Sequence, residues 1–280
     1  MAGRGIVTVK GSSGDSSSEV DADRRSLIAA LAVAGGLAPL SAVNAGAMTT
    51  PESSARPSHT ERTVLCFGDS NTWGFVPGQE SGATRFTRYD HLTRWPRALE
   101  NLLAPGTRVI EHGICGLVGA LASGGAQFED GASRAAIDHV RGLISANWPI
   151  HEWVVMLGTN DLAYPTLEDP ARIADGVVTT IEQGLASHAW LGGAAPAVTV
   201  VSPIPLGPAV RAIGVDEAGI ERSRGLAREF ALRATPKGWR FLDAAGAGAL
   251  DTADGIHWSA AHHQRFAEML AKALADPAQR

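Results

Sequence analysis

Cysteine is nearly absent from this 280-residue chain, with only Cys66 and Cys115 present, and tyrosine also occurs just twice. Two cysteines cannot build a disulfide framework. Each falls on or just after a predicted strand, where a small thiol packs well, so two free thiols are expected even in an exported chain that would permit a bridge. No Cys/His spacing suits a metal, and neither a metal nor a cofactor is expected. Positive charge is also scarce: the formal net charge is −5. The chain has no basic footprint, which argues against nucleic acid as a partner. No apolar run reaches the ~20 residues that span a bilayer, so stable membrane insertion is not expected. The Gly-x-Ser-x-Gly elbow of the α/β-hydrolases is missing, and no internal repeat is present. What remains, 45% apolar and 19% charged residues, is enough for one well-buried core.

The first residues differ in kind from the rest. Gly11 to Ser18 is rich in Ser and Gly, Arg24-Arg25 precedes the apolar run Leu27 to Leu40, and small residues follow to Ala47. A positive pair, an apolar centre and small residues at the end have the form of an export signal of the twin-arginine type. Residues 1–47 are therefore set apart from the fold, with export to the periplasm or medium expected. Pro- and Ser-rich residues 48–62 read as a linker. The folded domain is expected over 63–280.

Along that domain, apolar strand patterns alternate with helical ones. Strands are predicted at Val64–Phe67, Arg108–Ile110, Trp153–Leu157, Ala197–Val201 and Arg240–Leu242. Helices are predicted over Trp95–Leu103 and Ala132–Ala146, after the cap-and-proline pair Asp169-Pro170, around Ile220, Ala227, Phe230 and Ala231, and after Ser259. The unbroken apolar third strand implies burial on both faces and hence a parallel sheet. The pattern predicts a single doubly wound α/β domain.

The first strand stops at Gly68-Asp69-Ser70, which places a serine where open α/β sheets bind ligands. Read alone, it is equally a strand-to-turn junction, because Gly, Asp and Ser are ordinary turn residues. Three further segments follow in order: Ile110-Glu111-His112-Gly113-Ile114-Cys115-Gly116, then Val154-Val155-Met156-Leu157-Gly158-Thr159-Asn160-Asp161, then Asp254-Gly255-Ile256-His257. Together the four resemble the signature blocks of the SGNH (GDSL-type) hydrolases over about Thr63 to Ala275. Phe-Gly-Asp-Ser-x-Thr-Trp-Gly is most similar to the small arylesterase/acyltransferase branch. The resemblance implies a flavodoxin-like three-layer α/β/α sandwich with strand order 2-1-3-4-5.

The resemblance also implies a serine esterase acting through an acyl-enzyme on small carboxylic esters, with acyl transfer to alcohols beside hydrolysis. Ser70 would be the nucleophile, His257 its base and Asp254 the partner of the imidazole. The spacing of the last two suits this, since a carboxylate three residues away in a turn can reach one ring nitrogen while the other faces Ser70. Away from the other blocks, Asp254 and His257 would read first as a capped surface turn. Carried over in the same way, the oxyanion donors would be the N–H of Ser70, the N–H of Gly116 and the side-chain amide of Asn160. The second block departs from the usual pattern: Glu111 stands where Asn is common, and Leu117-Val118 follow Gly116. Asp69 and Asp161 read as turn stabilisers. Trp73, Phe75 and Trp258 lie beside the blocks, with Trp73 and Phe75 the candidate pocket residues. His112, His151, His262 and His263 have no ligand spacing. Carbohydrate acetylesterase and lysophospholipase or thioesterase activities remain open, because the triad constrains the acyl chemistry and not the leaving group; loops 75–94 and 117–131 would decide among them. A catalytically silent surface or carbohydrate-binding protein is the alternative outside enzymes. Oligomeric state is not legible.

Overall fold

The computed structural model describes residues 62–78, 86–164, 166–167, 169–213, 215–250 and 252–276. Contacts divide the chain into Met1–Arg56 and Pro57–Arg280, and every described residue belongs to the second unit. The expected export segment lies outside the described residues, as does the linker up to residue 61. Arg62, assigned above to the linker, opens the first strand and donates to Glu152 at 2.5 Å.

β1 (Arg62–Gly68) runs into a one-turn helix, α1 (Ser70–Trp73), followed by α2 (Trp95–Leu102). β2 (Thr107–Gly113) leads to α3 (Ala136–Asn147), β3 (Glu152–Met156) to α4 (Pro170–Trp190), β4 (Ala197–Ser202) to α5 (Glu217–Ala234), and β5 (Arg240–Asp243) to α6 (Ala260–Ala275). All pairings are parallel, in the order β2-β1-β3-β4-β5. The chain adds β2 on one side of β1 and β3 on the other, so the crevice at their carboxyl ends is the topological switch point.

Two apolar layers explain this arrangement. Side chains alternate across a strand, and here both alternating sets are apolar. Leu65, Phe67, Trp153 and Val155 pack with Val140 and Ile144 of α3, Ile173, Val177 and Ile181 of α4, and Phe230 of α5. Val64, Cys66, Val154 and Met156 face the other way, onto Trp95 and Leu99 of α2 and Phe266 and Leu270 of α6. The result is the three-layer sandwich expected from the sequence. Each large side chain so buried contributes roughly 1.5–3 kcal/mol, which makes these layers the main stabilising element.

Local signals place the helix starts. Asp169 accepts from the Ala171 N–H with Pro170 in the first turn, and Ser259 accepts from the His262 N–H. Two boundaries and one buried face differ from expectation. β2 continues through Glu111 to Gly113, because β1 supplies pairing partners along its whole length, Gly68 opposite Gly113. α3 starts at Ala136, not Ala132, because Ser133 and Ala135 bridge to Gln127 and Val118. The buried stripe of α5 is Ile220, Ser223, Leu226, Phe230 and Ala234, turned slightly from the Ala227 and Ala231 side.

Candidate active site

Gly68 closes β1 against β3 so tightly that a Cβ there would lie 2.2 Å from Thr72 Oγ1 and 2.6 Å from the Met156 carbonyl. Beyond it, Asp69 caps α1 by accepting the Asn71 N–H at 3.0 Å. This turn sets Ser70 as the first residue of α1, almost wholly buried, at the carboxyl end of the central strand.

His257 reaches the same point from the turn before α6. Its Nε2 lies 3.0 Å from Ser70 Oγ, and its Nδ1 lies 2.9 Å from Asp254 Oδ2. Asp254 Oδ1 accepts the backbone N–H groups of Ile256 and His257 at 3.1 and 3.0 Å. Half-burial pushes the Asp254 carboxyl up, but the His257 imidazole and these two N–H groups outweigh it and hold the group well below the usual carboxylate range. An ionised carboxylate can only accept, so in the neutral form of the His257 ring the proton belongs at Nδ1 and the Nε2 lone pair faces the Ser70 hydroxyl.

The expected oxyanion residues converge on the same end of the sheet. Gly68 pairs with Gly113 of β2 and Met156 of β3, so the segments that follow all three strands emerge side by side. Gly116 sits at φ +76°, where a Cβ would meet Arg134 Nη2 at 2.8 Å, and its carbonyl accepts from Arg134 at 3.2 and 3.3 Å. Asn160 opens a 3-10 turn and donates from Nδ2 to the Leu117 carbonyl at 2.9 Å. Its other amide hydrogen is not used by that bond.

Asp161 and Asp69 are turn stabilisers, as expected. Asp161 accepts the N–H groups of Gly119 and Ala120 at 2.9 and 2.7 Å, tying the segment after β2 to the turn after β3. Burial pushes both carboxyls up to about 6 against the hydrogen bonds that hold them.

Of the aromatic candidates, Phe75 lies flat against the His257 ring. Trp73 is one step removed, 6.4 Å from Phe75, with the Arg88 guanidinium over its face. Phe86, largely exposed, extends this aromatic row towards solvent at 5.3 Å from Phe75. Trp258 packs edge-on against Phe266 in the core and lines no site. Glu111, the departure in the second block, accepts from Arg88 and from Arg94 Nε at 2.7 Å. Arg88 and Arg94 in turn donate to the Trp73 and Tyr89 carbonyls. Glu111 therefore anchors the wall after β1.

His151, His262 and His263 serve the fold. His151 Nδ1 accepts the Thr63 N–H, His263 Nδ1 accepts the Trp95 N–H, and His262 Nε2 meets the Ala249 carbonyl. Burial lowers the His112 imidazole, which packs 5.9 Å from Phe67. Cys66 and Cys115 are free, and burial followed by the Asp69 charge pushes the Cys115 thiol up to about 12. Among the described residues no group of three or more His, Cys, Asp or Glu is placed to hold a metal ion, and no helix is long and apolar enough to cross a membrane. Sequence reasoning missed Asn71, which bonds to the backbone on both sides of His257. Its adjacency to Ser70 was the only available hint.

Residues 66–265 match the family described as GDSL-like lipase/acylhydrolase. The structure is similar to Est24, a carbohydrate acetylesterase from Sinorhizobium meliloti, at TM-score 0.68 and 30% identity, covering 76% of this chain and 98% of that one. It is also similar to the aryl esterase of M. smegmatis, at TM-score 0.67 and 28% identity with the same coverage. A further S. meliloti carbohydrate acetylesterase family member gives TM-score 0.64 and 25% identity over 76% and 97% of the two chains. No curated protein sequence matches. A strand order, a Gly-Asp-Ser turn at the switch point and a family match over most of the domain agree, and the chain belongs to the GDSL-like lipase/acylhydrolase family as an esterase of the SGNH type.

Proposed function

We propose that the protein hydrolyses small carboxylic esters through an acyl-enzyme on Ser70, with His257 as general base and acid and Asp254 as its orienting partner. The observation that carries this reading is the unbroken hydrogen-bond chain from Ser70 Oγ through His257 to Asp254. Ser70 Oγ attacks the ester carbonyl carbon while its proton passes to Nε2. The tetrahedral oxyanion then collapses, the bond to the alcohol oxygen breaks, and the Nε2 proton goes to that oxygen as the alcohol leaves. Water repeats the sequence on acyl-Ser70 and regenerates the serine. An alcohol in place of water gives acyl transfer.

The Ser70 and Gly116 N–H groups and the free hydrogen of the Asn160 amide are proposed to receive the oxyanion. Asp254, already ionised, stabilises the imidazolium that forms during attack. The row Trp73, Phe75 and Phe86 favours an apolar acyl or aryl group beside the imidazole. The likeness to a carbohydrate acetylesterase at 30% identity favours a second reading, deacetylation of an acylated sugar.

Mass spectrometry after fluorophosphonate treatment tests the first reading. One adduct on Ser70, lost in His257→Ala, is expected; labelling of a different serine would overturn it. A panel of aryl acetates, alkyl esters and acetylated sugars separates the two substrate classes. Export rests on Arg24-Arg25 before the apolar run. Replacing both by lysine should retain the protein in the cytoplasm, and soluble full-length wild-type protein found there would refute it.

A further inference from the structure

We infer that Asn71 is a positioning residue that sets the distance between Ser70 and His257, an inference that rests on the triad reading above. Its side chain is almost wholly buried. Nδ2 donates to the Ile256 carbonyl at 3.1 Å, and Oδ1 accepts the Trp258 N–H at 3.0 Å. These two groups flank His257 on either side, so one planar amide grips the backbone that carries the imidazole.

Asp254 cannot do this work alone. It lies three residues before His257, and its bonds to the His257 ring and to the Ile256 and His257 N–H groups are internal to one turn; its one longer-range partner is the Gly78 N–H at 3.3 Å, in the exposed loop beyond α1. The internal bonds orient the ring within the turn and would travel with the turn if it moved. The turn is also tied to other elements, through Gly255 O to the Gly207 N–H at 2.8 Å and through Trp258 in the core. Phe75, whose N–H bonds to the Ser70 carbonyl, touches only the face of the ring, whereas Asn71 hydrogen-bonds the backbone on both sides of His257 from the nucleophile's own turn: it is the next residue after Ser70, and its N–H is fixed by Asp69 at 3.0 Å. Ser70 Oγ and the amide that grips the His257 backbone thus move as one body, which holds the 3.0 Å contact between groups 187 residues apart. The amide offers a donor and an acceptor on two separate atoms, one for each of these backbone groups. Leucine has neither, and an ionised aspartate keeps the acceptor alone.

The test compares Asn71→Leu and Asn71→Asp with the wild type by kcat/KM, which reports acylation, on a nitrophenyl ester and an alkyl ester of the same acid. A displaced His257 handicaps proton transfer to an alkoxide more than departure of a nitrophenolate, which leaves without a proton. For Asn71→Leu the expected losses are about tenfold on the nitrophenyl ester and about a hundredfold on the alkyl ester, with Asn71→Asp between it and the wild type. A defect in folding alone would lower both esters by one common factor, and that result, or no loss at all, would overturn the inference. If Asn71→Leu does not fold, the ratio measured for Asn71→Asp decides on its own. Ser70→Ala and His257→Ala run beside them: retained activity there sinks the triad reading, whereas their inactivity with unaltered Asn71 variants sinks only the inference.

Discussion

The ring of Phe75 is stacked on the imidazole of His257, with centroids 4.1 Å apart and planes inclined by 23°. An aromatic contact of this kind is worth about 0.5–1.5 kcal/mol, and here it opposes rotation of the imidazole away from Ser70. Phe75→Leu should therefore lower kcat/KM by about two- to tenfold, while Phe75→Trp should retain it. Ester hydrolysis at one fixed pH, with melting temperatures measured alongside, separates loss of the stack from loss of fold.

Asn160 has one amide hydrogen committed to the Leu117 carbonyl and one that is not. If the second receives the oxyanion, Asn160→Ala should reduce kcat by roughly 10² to 10³ with KM little changed, because the bond strengthens as charge develops. Steady-state kinetics on an activated ester decides this. A fall confined to KM would assign Asn160 to ground-state binding.

Asp161 provides a pH test of stability. Its carboxyl is pushed up to about 6 in the fold, above its ordinary value of 3.8, by burial. The stability it contributes is thus fully present below pH 4 and is lost as pH rises through about 6, because the folded state must then bury the charge. Asp161→Asn removes this titration. The melting temperature of the variant minus that of the wild type should therefore rise by several degrees between pH 4 and pH 7, read by thermal unfolding at each pH. A difference independent of pH would show that Asp161 is ionised in the fold throughout this range.

Glu152 opens β3 buried between two arginines, bonded to Arg62 and 3.6 Å from Arg240 Nη1. Arg240 also donates to Thr199, so the cluster spans β1, β3, β4 and β5. Removing the carboxylate leaves the buried Arg240 uncompensated, and Glu152→Ala should cost about 3–5 kcal/mol in urea unfolding. A double variant with Arg240→Met should be less destabilised than the sum of the two single changes. Ester turnover by the folded fraction should stay unaltered, because the cluster sits at the opposite end of the strands from Ser70.

Much of the fold is local and was therefore legible. Apolar runs marked the strands, and Asp169-Pro170 and Ser259 marked helix starts, since a cap bonds within its own turn. The proposed triad of Ser70, Asp254 and His257 was visible as a motif, and the contact of Asp254 with His257 also by spacing. Trp73, Phe75 and Trp258 looked alike in the sequence, and packing alone separated the residue stacked on the imidazole from the one buried in the core.

The sequence by itself determined the alternation of strand and helix, the presence of two apolar faces on the central strands and which side chains are proposed to react. Tertiary structure alone decided who meets whom. Placing β1 between β2 and β3 brought the segment after Gly113 and the turn after Met156 to Ser70, joined Glu111 to Arg88 and Arg94, and set Asn71 against residues 256–258. The reason is physical: a capping bond reaches three or four residues along the chain, whereas a buried amide or carboxylate takes its partner from whichever strand end the sheet order sets beside it.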